Sequence, residues 1–246
     1  MSTPGNDRIR RFGSGRIVEH QLNAVVFLLL VITGLSQRFH DYALAQWIIL
    51  KLGGVDTVRL IHRFTGIFFT VLCSVHILAA SAGVLLRRFR PSMVITLNDF
   101  RDAIDNLKYY FGISNHPARC GRYDYKQKFE YWGVVVGGML MIATGLILWF
   151  PVAASRYLPG EIIPAAKAAH TNEALLAFLV IVIWHVYNSI FSPEVFPLDT
   201  AIFTGSISRE RMVHEHPLEL AEMEGKPLAE ILDHHQDSTY QIQSHE

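Results

Sequence analysis

The stretch HRFTGIFFTVLCSVHILAASAGVLL, residues 62–86, decides the fold of this chain. From Phe64 to Leu86 it contains no Asp, Glu, Lys or Arg. An α-helix rises 1.5 Å per residue, so a segment of roughly 20 apolar residues crosses the ~30 Å hydrocarbon layer of a membrane. The stretch therefore predicts a membrane-spanning helix, and this helix contains two histidines, His62 and His76.

Three further stretches lack charged residues in the same way, namely residues 22–37, 133–154 and 174–191. We predict an all-α fold, an integral membrane four-helix bundle with spans at about 17–37, 58–86, 129–152 and 170–191. Residues 1–16 are then an N-terminal segment, residues 17–191 the four-span domain, and residues 192–246 a solvated, partly disordered tail. We find no internal repeat along the chain.

The composition excludes several classes of protein. Helices this uniformly apolar need more protein around them than 246 residues provide, which excludes a soluble globular domain. A formal net charge of zero gives no long-range attraction to phosphate and excludes a nucleic-acid partner. The two cysteines, Cys73 and Cys120, build neither a disulfide framework nor a cysteine zinc site, and without a C-x-x-C-H motif covalent c-type haem is excluded.

The basic residues predict the orientation in the membrane. Four precede the first span and nine lie between the second and third spans, whereas the other two connections contain only Arg38 and Lys51, and Arg156 and Lys167. Cytoplasmic loops are enriched in Lys and Arg. Both termini are therefore expected on the cytoplasmic side.

Five histidines lie at or within the predicted spans, where an imidazole is costly unless it has a partner. They are His20, His62, His76, His170 and His185. A hydrogen bond to a neighbouring helix would be the simplest explanation for any one of them. However, His62 and His76 are 14 residues apart and His170 and His185 are 15 apart, or roughly 21 to 23 Å along each helix.

The second and fourth spans run in the same direction, which pairs these histidines by depth. His62 and His170 are expected at the outer level, and His76 and His185 at the inner level. Two levels of facing imidazoles are what two stacked b-type haems require, because each iron takes one axial nitrogen from each of two helices. His20, which opens the first span, is a further candidate for the inner level.

Arg63 follows His62 directly and is a candidate partner for a haem propionate. Alternatively, its side chain snorkels to the membrane interface.

Five motifs, in order along residues 8 to about 217, resemble those of a known family. They are Ile17-Val18-Glu19-His20, Ile61-His62-Arg63-Phe64-Thr65-Gly66, Gly121-Arg122-Tyr123-Asp124-Tyr125-Lys126-Gln127-Lys128, Thr144-Gly145-Leu146-Ile147-Leu148-Trp149, and His185-Val186-Tyr187. The chain resembles the di-haem cytochrome b subunits that anchor respiratory formate dehydrogenases, nickel-iron hydrogenases and thiosulfate reductases, and most of all the formate dehydrogenase gamma subunit.

The resemblance implies two haems b, the outer one ligated by His62 and His170 and the inner one by His185 and His20. His76 has no counterpart in the family's pattern. However, the paired spacing of the histidines favours His76 as a ligand of the inner haem. The inner ligand opposite His185 is therefore either His20 or His76. The resemblance also implies a quinone site near Asp124, Gln127 and Lys128, with Asp124 at the place of the family's asparagine.

The function implied is transmembrane electron transfer through two haems b. The expected partners are an iron-sulfur or multihaem subunit of a respiratory complex, membrane lipid and quinone as substrate, in the inner (cytoplasmic) membrane of a bacterium or archaeon. The chain would be the quinone-reactive subunit of an oxidoreductase such as formate dehydrogenase. Two alternatives are a haem-free membrane anchor and a self-contained transmembrane reductase like cytochrome b561.

Overall fold

A computed structural model describes residues 8–88, 90–193 and 195–232. The chain divides into two compact units. The first unit contains Met1–Ser14, Arg90–Tyr131 and Asp199–Glu246, and the second unit contains Gly15–Phe89 and Trp132–Leu198.

The described residues are mostly helical. In chain order the elements are β1 (Arg8–Arg10), α1 (Ser14–Arg38), α2 (Ala43–Lys51), α3 (Val55–Leu85), α4 (Leu97–Tyr110), α5 (Tyr125–Trp149), α6 (Pro151–Ala154), α7 (Ile162–Leu179), α8 (Ala201–Thr204), β2 (Ser206–Ser208), α9 (Arg209–Glu215) and α10 (Pro217–Glu224). After α7 the helix continues as two π-helical segments, Val180–His185 and Tyr187–Phe191. Residues 228–232 are also helical.

Four of these helices are long and apolar enough to cross a membrane: Ser14–Arg38, Val55–Leu85, Tyr125–Trp149 and Ile162–Phe191. Their side chains are largely uncovered by protein, with Phe64 63% and Leu78 69% exposed. Apolar helix surfaces of this extent are stable only against hydrocarbon. The prediction of four membrane-spanning helices is therefore confirmed.

The π-helical segment ending at His185 is a local feature that the apolar pattern does not encode. Fifteen residues of regular α-helix would place His185 about 60° around the helix from His170. A π-helical turn contains more residues than an α-helical turn, so the helix rotates less per residue there. The segment Val180–His185 therefore changes the rotation of the helix between His170 and His185 from that of a regular α-helix.

The first unit includes a small antiparallel sheet that the all-α prediction did not contain. β1 pairs with β2, with Ile9 opposite Ile207. Each strand has only three residues, too few for a period-two pattern to be recognised. Ile207 belongs to the unit's core, whose fully buried members are Ala201, Ile207, Met212, Val213, Leu220 and Ile231.

The prediction of a solvated tail after residue 191 is wrong for most of that segment, because residues 199–232 contain this core and four helical segments. His216, which looked like a solvated tail residue, is 1% exposed. Its Nδ1 lies 2.7 Å from Gly121 O and its Nε2 lies 2.8 Å from an Arg11 guanidinium nitrogen. His234, His235 and His245 lie outside the described residues.

A network of charged groups surrounds His216. Glu219 lies 3.3 Å from Arg11 Nε and 2.7 Å from Arg122 NH1. Burial, together with the nearby Arg11 charge, lowers the pKa of His216 to about 3. The imidazole is therefore neutral, donates from Nδ1 to the carbonyl of Gly121 and accepts from Arg11.

We expect this histidine to make the first unit less stable in mild acid. His216 takes up a proton near pH 6.5 in the unfolded chain and only near pH 3 in the folded chain. The contribution of this histidine to the free energy of unfolding is therefore fully present above pH 6.5 and is lost as the pH falls below that value. Between pH 7.5 and 5.5 the loss is about 1 kcal/mol, or roughly five- to tenfold in the opening equilibrium. Hydrogen exchange of the α9 and α10 amides, corrected for intrinsic exchange rates, measures this change in the opening equilibrium.

The His216→Asn variant should open more readily at both pH values, because Arg11 loses its acceptor, but with a smaller difference between them. His214→Asn is the matched control, since His214 lies two residues earlier, in α9, and is exposed. An unchanged pH difference in His216→Asn would show that another group is responsible.

Candidate functional site

Two pairs of histidine rings face each other in the second unit. His62 of α3 and His170 of α7 have ring centres 6.3 Å apart, with their planes at 77°. His20 of α1 and His185 of the π-helical segment have ring centres 6.1 Å apart, with their planes at 33°. We call these the outer pair and the inner pair.

The spacing of both pairs fits two axial ligands of one metal ion. An imidazole nitrogen binds a metal at about 2 Å and lies roughly 1 Å from its own ring centre, so two axial rings on one metal have centres about 6 Å apart. The observed 6.1 and 6.3 Å match this value. Two imidazoles joined by a direct hydrogen bond would have a shorter distance between their ring centres. The observed distances in both pairs therefore fit a haem iron between the rings.

The neighbouring spans α1 and α5 pack against the rings of the outer pair, His62 and His170. Gly34 of α1 lies against His62, and a Cβ added there would be 3.1 Å from the ring's Cε1. Gly145 of α5 lies against His170 in the same way, with the corresponding distance 3.3 Å. A side chain at either position would therefore press against the ring and displace it slightly from its observed place.

A threonine precedes each of these glycines and contacts the same ring. Thr33 Oγ1 lies 2.8 Å from His62 Nδ1, and Thr144 Oγ1 lies 2.9 Å from His170 Nδ1. These two threonines were missed as site residues. The signal for them is the tripeptide Thr-Gly-Leu, which occurs at residues 33–35 and again at 144–146.

His20 and His76 lie in different surroundings. The Nδ1 of His20 is buried and has no hydrogen-bond partner in the described part of the chain, and its ring faces that of His185. The Nδ1 of His76 pairs with a carboxylate oxygen of Glu19, the residue before His20. Of the two candidates for the inner level, His20 thus forms a ring pair with His185, while His76 contacts an acidic side chain that sequence reasoning missed.

Arg63 contacts an aromatic ring, and two further cationic side chains lie near the outer pair in sequence. Its guanidinium lies 5.6 Å from the centre of the Trp149 ring, in a cation–π contact between α3 and α5. Arg59 and Lys167 each lie three residues before a histidine of the outer pair. Both line a cavity of about 380 Å³, with Gln37, His40, Ile49 and Val55. Two cations in one cavity provide a further place for carboxylates, in addition to Arg63.

The residues expected at a quinone site lie in the first unit. Asp124 Oδ1 accepts a hydrogen bond of 2.7 Å from the Gln127 amide, and Gln127 Oε1 accepts one of 3.3 Å from the Asp124 amide. This reciprocal arrangement caps the first turn of α5. Burial raises the pKa of Asp124, which makes its carboxyl a better proton donor near neutral pH than an ordinary aspartic acid.

Lys128 has a structural partner within the same unit. Its Nζ lies 2.7 Å from Asp99 Oδ1, and both side chains are nearly buried. Although burial opposes it, the hydrogen bonds from Lys128 and Thr96 lower the pKa of Asp99. Lys128 and Asp99 thus form a charged pair that joins the start of α5 to α4.

Comparison with known proteins identifies the fold family. The family model described as prokaryotic cytochrome b561 matches residues 11–202. The matched region includes all four histidines of the outer and inner pairs and both Thr-Gly-Leu elements.

Three curated relatives are cytochrome b556 subunits of formate dehydrogenases. The cytochrome b556(fdo) subunit of formate dehydrogenase from Escherichia coli K12 is 23% identical over 213 residues, covering 86% of this chain and 91% of that protein. The cytochrome b556 subunit of formate dehydrogenase from Haemophilus influenzae is 26% identical over 182 residues, which cover 73% of this chain and 70% of that protein. The nitrate-inducible cytochrome b556(Fdn) subunit of formate dehydrogenase from Escherichia coli K12 is 23% identical over 206 residues, which cover 83% of this chain and 87% of that protein.

Proposed function

Because the chain belongs to the prokaryotic cytochrome b561 family, and is thus a bacterial multi-pass membrane protein with b-type haem, we propose that it is the membrane subunit of a respiratory complex that exchanges electrons with the quinone pool. The observation that carries this proposal is the pair of ring spacings, 6.1 and 6.3 Å, within four membrane-spanning helices. Two bound haems b would supply one-electron carriers at two depths of the membrane.

In this proposal each haem b would be held by two imidazoles from different helices. His62 and His170 would hold the outer haem, and His20 and His185 would hold the inner one. The role of His20 is supported by its ring contact with His185, which lies on another helix. His76 instead pairs with the carboxylate of Glu19.

The proposed side chains for the outer haem's carboxylates are Arg63, Arg59 and Lys167. A cationic side chain stabilises a propionate through charge-assisted hydrogen bonds, and a guanidinium does so with two parallel bonds. The location of Arg59 and Lys167 in one cavity supports their assignment, while the Arg63 side chain is held by Trp149.

The partners of the chain follow from its relatives and its charge pattern. The relatives are subunits of formate dehydrogenase, which supports an iron-sulfur or multihaem subunit of an oxidoreductase as the electron-exchanging partner. The excess of basic residues before the first span and between the second and third supports cytoplasmic termini in the inner membrane. Residues 1–16 and 192–246 would then lie on the cytoplasmic side.

Quinone is the proposed small-molecule substrate, and its reduction consumes two protons for every two electrons. Asp124 is the proposed proton donor, because burial raises the pKa of its carboxyl and its backbone position is fixed by the cap with Gln127. Lys128 would act indirectly, since its ion pair with Asp99 stabilises the start of α5.

Alanine variants of the histidines test the haem assignment. We expect His62→Ala and His170→Ala each to lose one haem, His20→Ala and His185→Ala each to lose the other, and His76→Ala to retain both. The haem-to-protein ratio and the low-spin spectrum of the purified chain measure this. His116→Ala, at an exposed loop position, is the control. Retention of both haems in His20→Ala and loss of one in His76→Ala would contradict the inner assignment.

Asp124→Asn tests the quinone proposal. Asparagine caps a helix about as well as aspartate, so the fold is retained while the proton donor is lost. We expect the haem content to be unchanged and the rate of electron exchange between haem and a menaquinol or ubiquinol analogue to fall at least tenfold, within the usual range for a general acid. Asp105→Asn, on α4 and paired with Lys108, is the control. Equal rates in Asp124→Asn and the wild type would remove Asp124 from the mechanism.

A further inference from the structure

We propose that Thr33 and Thr144 are positioning residues that fix the tautomer and orientation of His62 and His170, and that they thereby lower the redox potential of the outer haem relative to the same site without them. This inference rests on the proposed function, because it assigns a role to residues around one of the two proposed haems.

The direction of the hydrogen bond at Thr33 follows from the number of hydrogens available. The hydroxyl has a single hydrogen, and Oγ1 lies 2.6 Å from the carbonyl oxygen of Leu29, one turn earlier in α1. The hydroxyl therefore donates to Leu29 and acts as acceptor toward His62 Nδ1 at 2.8 Å. His62 must then have its proton on Nδ1, and its Nε2 has the free lone pair that a metal needs.

A similar arrangement occurs on the other ring of the outer pair, although His170 also has a hydrogen bond with the backbone of Met141. Thr144 Oγ1 lies 2.6 Å from Leu140 O in α5 and 2.9 Å from His170 Nδ1. Both threonines are almost fully buried, at 1% and 6% exposure, so water does not compete for the imidazole hydrogen. Two separate helices thus present the same acceptor to the two rings of one pair.

A metal-bound imidazole becomes a stronger electron donor when its other nitrogen donates a hydrogen bond. A stronger donor stabilises ferric over ferrous iron, so the potential of the outer haem is lowered. The glycines beside the threonines complete the arrangement, because a Cβ at Gly34 or Gly145 would meet the ring's Cε1 at 3.1 or 3.3 Å. The threonine thus fixes the ring nitrogen, and the glycine leaves room for the ring.

The inner pair lacks this arrangement at His20. Its Nδ1 is buried without a hydrogen-bond partner in the described part of the chain. The effect of the threonines is therefore confined to the outer haem, and this provides an internal reference in the same molecule.

The test uses the purified full-length chain with bound haem in lipid nanodiscs. Thr33→Val and Thr144→Val replace the hydroxyl by a methyl group of nearly the same size, and Thr33→Ser and Thr144→Ser keep it. An optical redox titration should show a several-fold higher reduced-to-oxidised ratio of the outer haem at a fixed applied potential in each valine variant. The double valine variant should shift further, the serine variants should titrate like the wild type, and the inner haem should not shift.

Thr70→Val is the matched control, because the Thr70 hydroxyl also lies within a span and donates one turn back, to Gly66 O. Loss of the outer haem in the valine variants with retention in the serine variants would also support the role of the hydroxyl. An outer haem that titrates at the wild-type potential in both valine variants would overturn the inference while leaving the two haems, and so the proposed function, intact. A wild-type chain without a second b-type haem would instead contradict the proposed function.

Discussion

A histidine inside a membrane must have a partner, and this constraint organises the second unit. Hydrocarbon provides no hydrogen bonds, so an unpaired imidazole there is costly. Four of the five histidines at or within the spans form two ring pairs, at 6.3 and 6.1 Å, and the fifth pairs with Glu19. The spacing is too wide for direct contact between nitrogen atoms and suits a metal held between them. The four helices act as a support that fixes these rings at two levels.

Much of this arrangement could be predicted from sequence because it depends on simple periodicities. The four spans follow from the lengths of uncharged stretches, and the pairing of His62 with His170 follows from the rise of a helix and the direction of alternate spans. The family resemblance is confirmed by the match to prokaryotic cytochrome b561 over residues 11–202. The role of Arg63 and the choice between His20 and His76 remain predictions, now supported by specific contacts.

Other features could not be predicted because they depend on side-chain geometry. A threonine in a span usually bonds to its own helix, and Thr33 and Thr144 do so, but each also meets a histidine of another helix. The π-helical segment at His185 has no composition that distinguishes it from α-helix. In the first unit, Arg11 is 205 residues away from His216 in sequence, and Arg11, His216 and Glu219 are all polar. No hydrophobic pattern in the sequence therefore indicates that these side chains are buried together.

The ratio of haem to protein is the measurement that tests the central claim most directly. The chain, expressed with ample haem and purified in mild detergent, should contain two b-type haems per polypeptide, both low-spin and six-coordinate in the oxidised state. Such spectra require two strong axial ligands on each iron, as the two histidine pairs would provide. A folded chain that contains no haem, or whose iron is high-spin with one histidine ligand, would contradict this account.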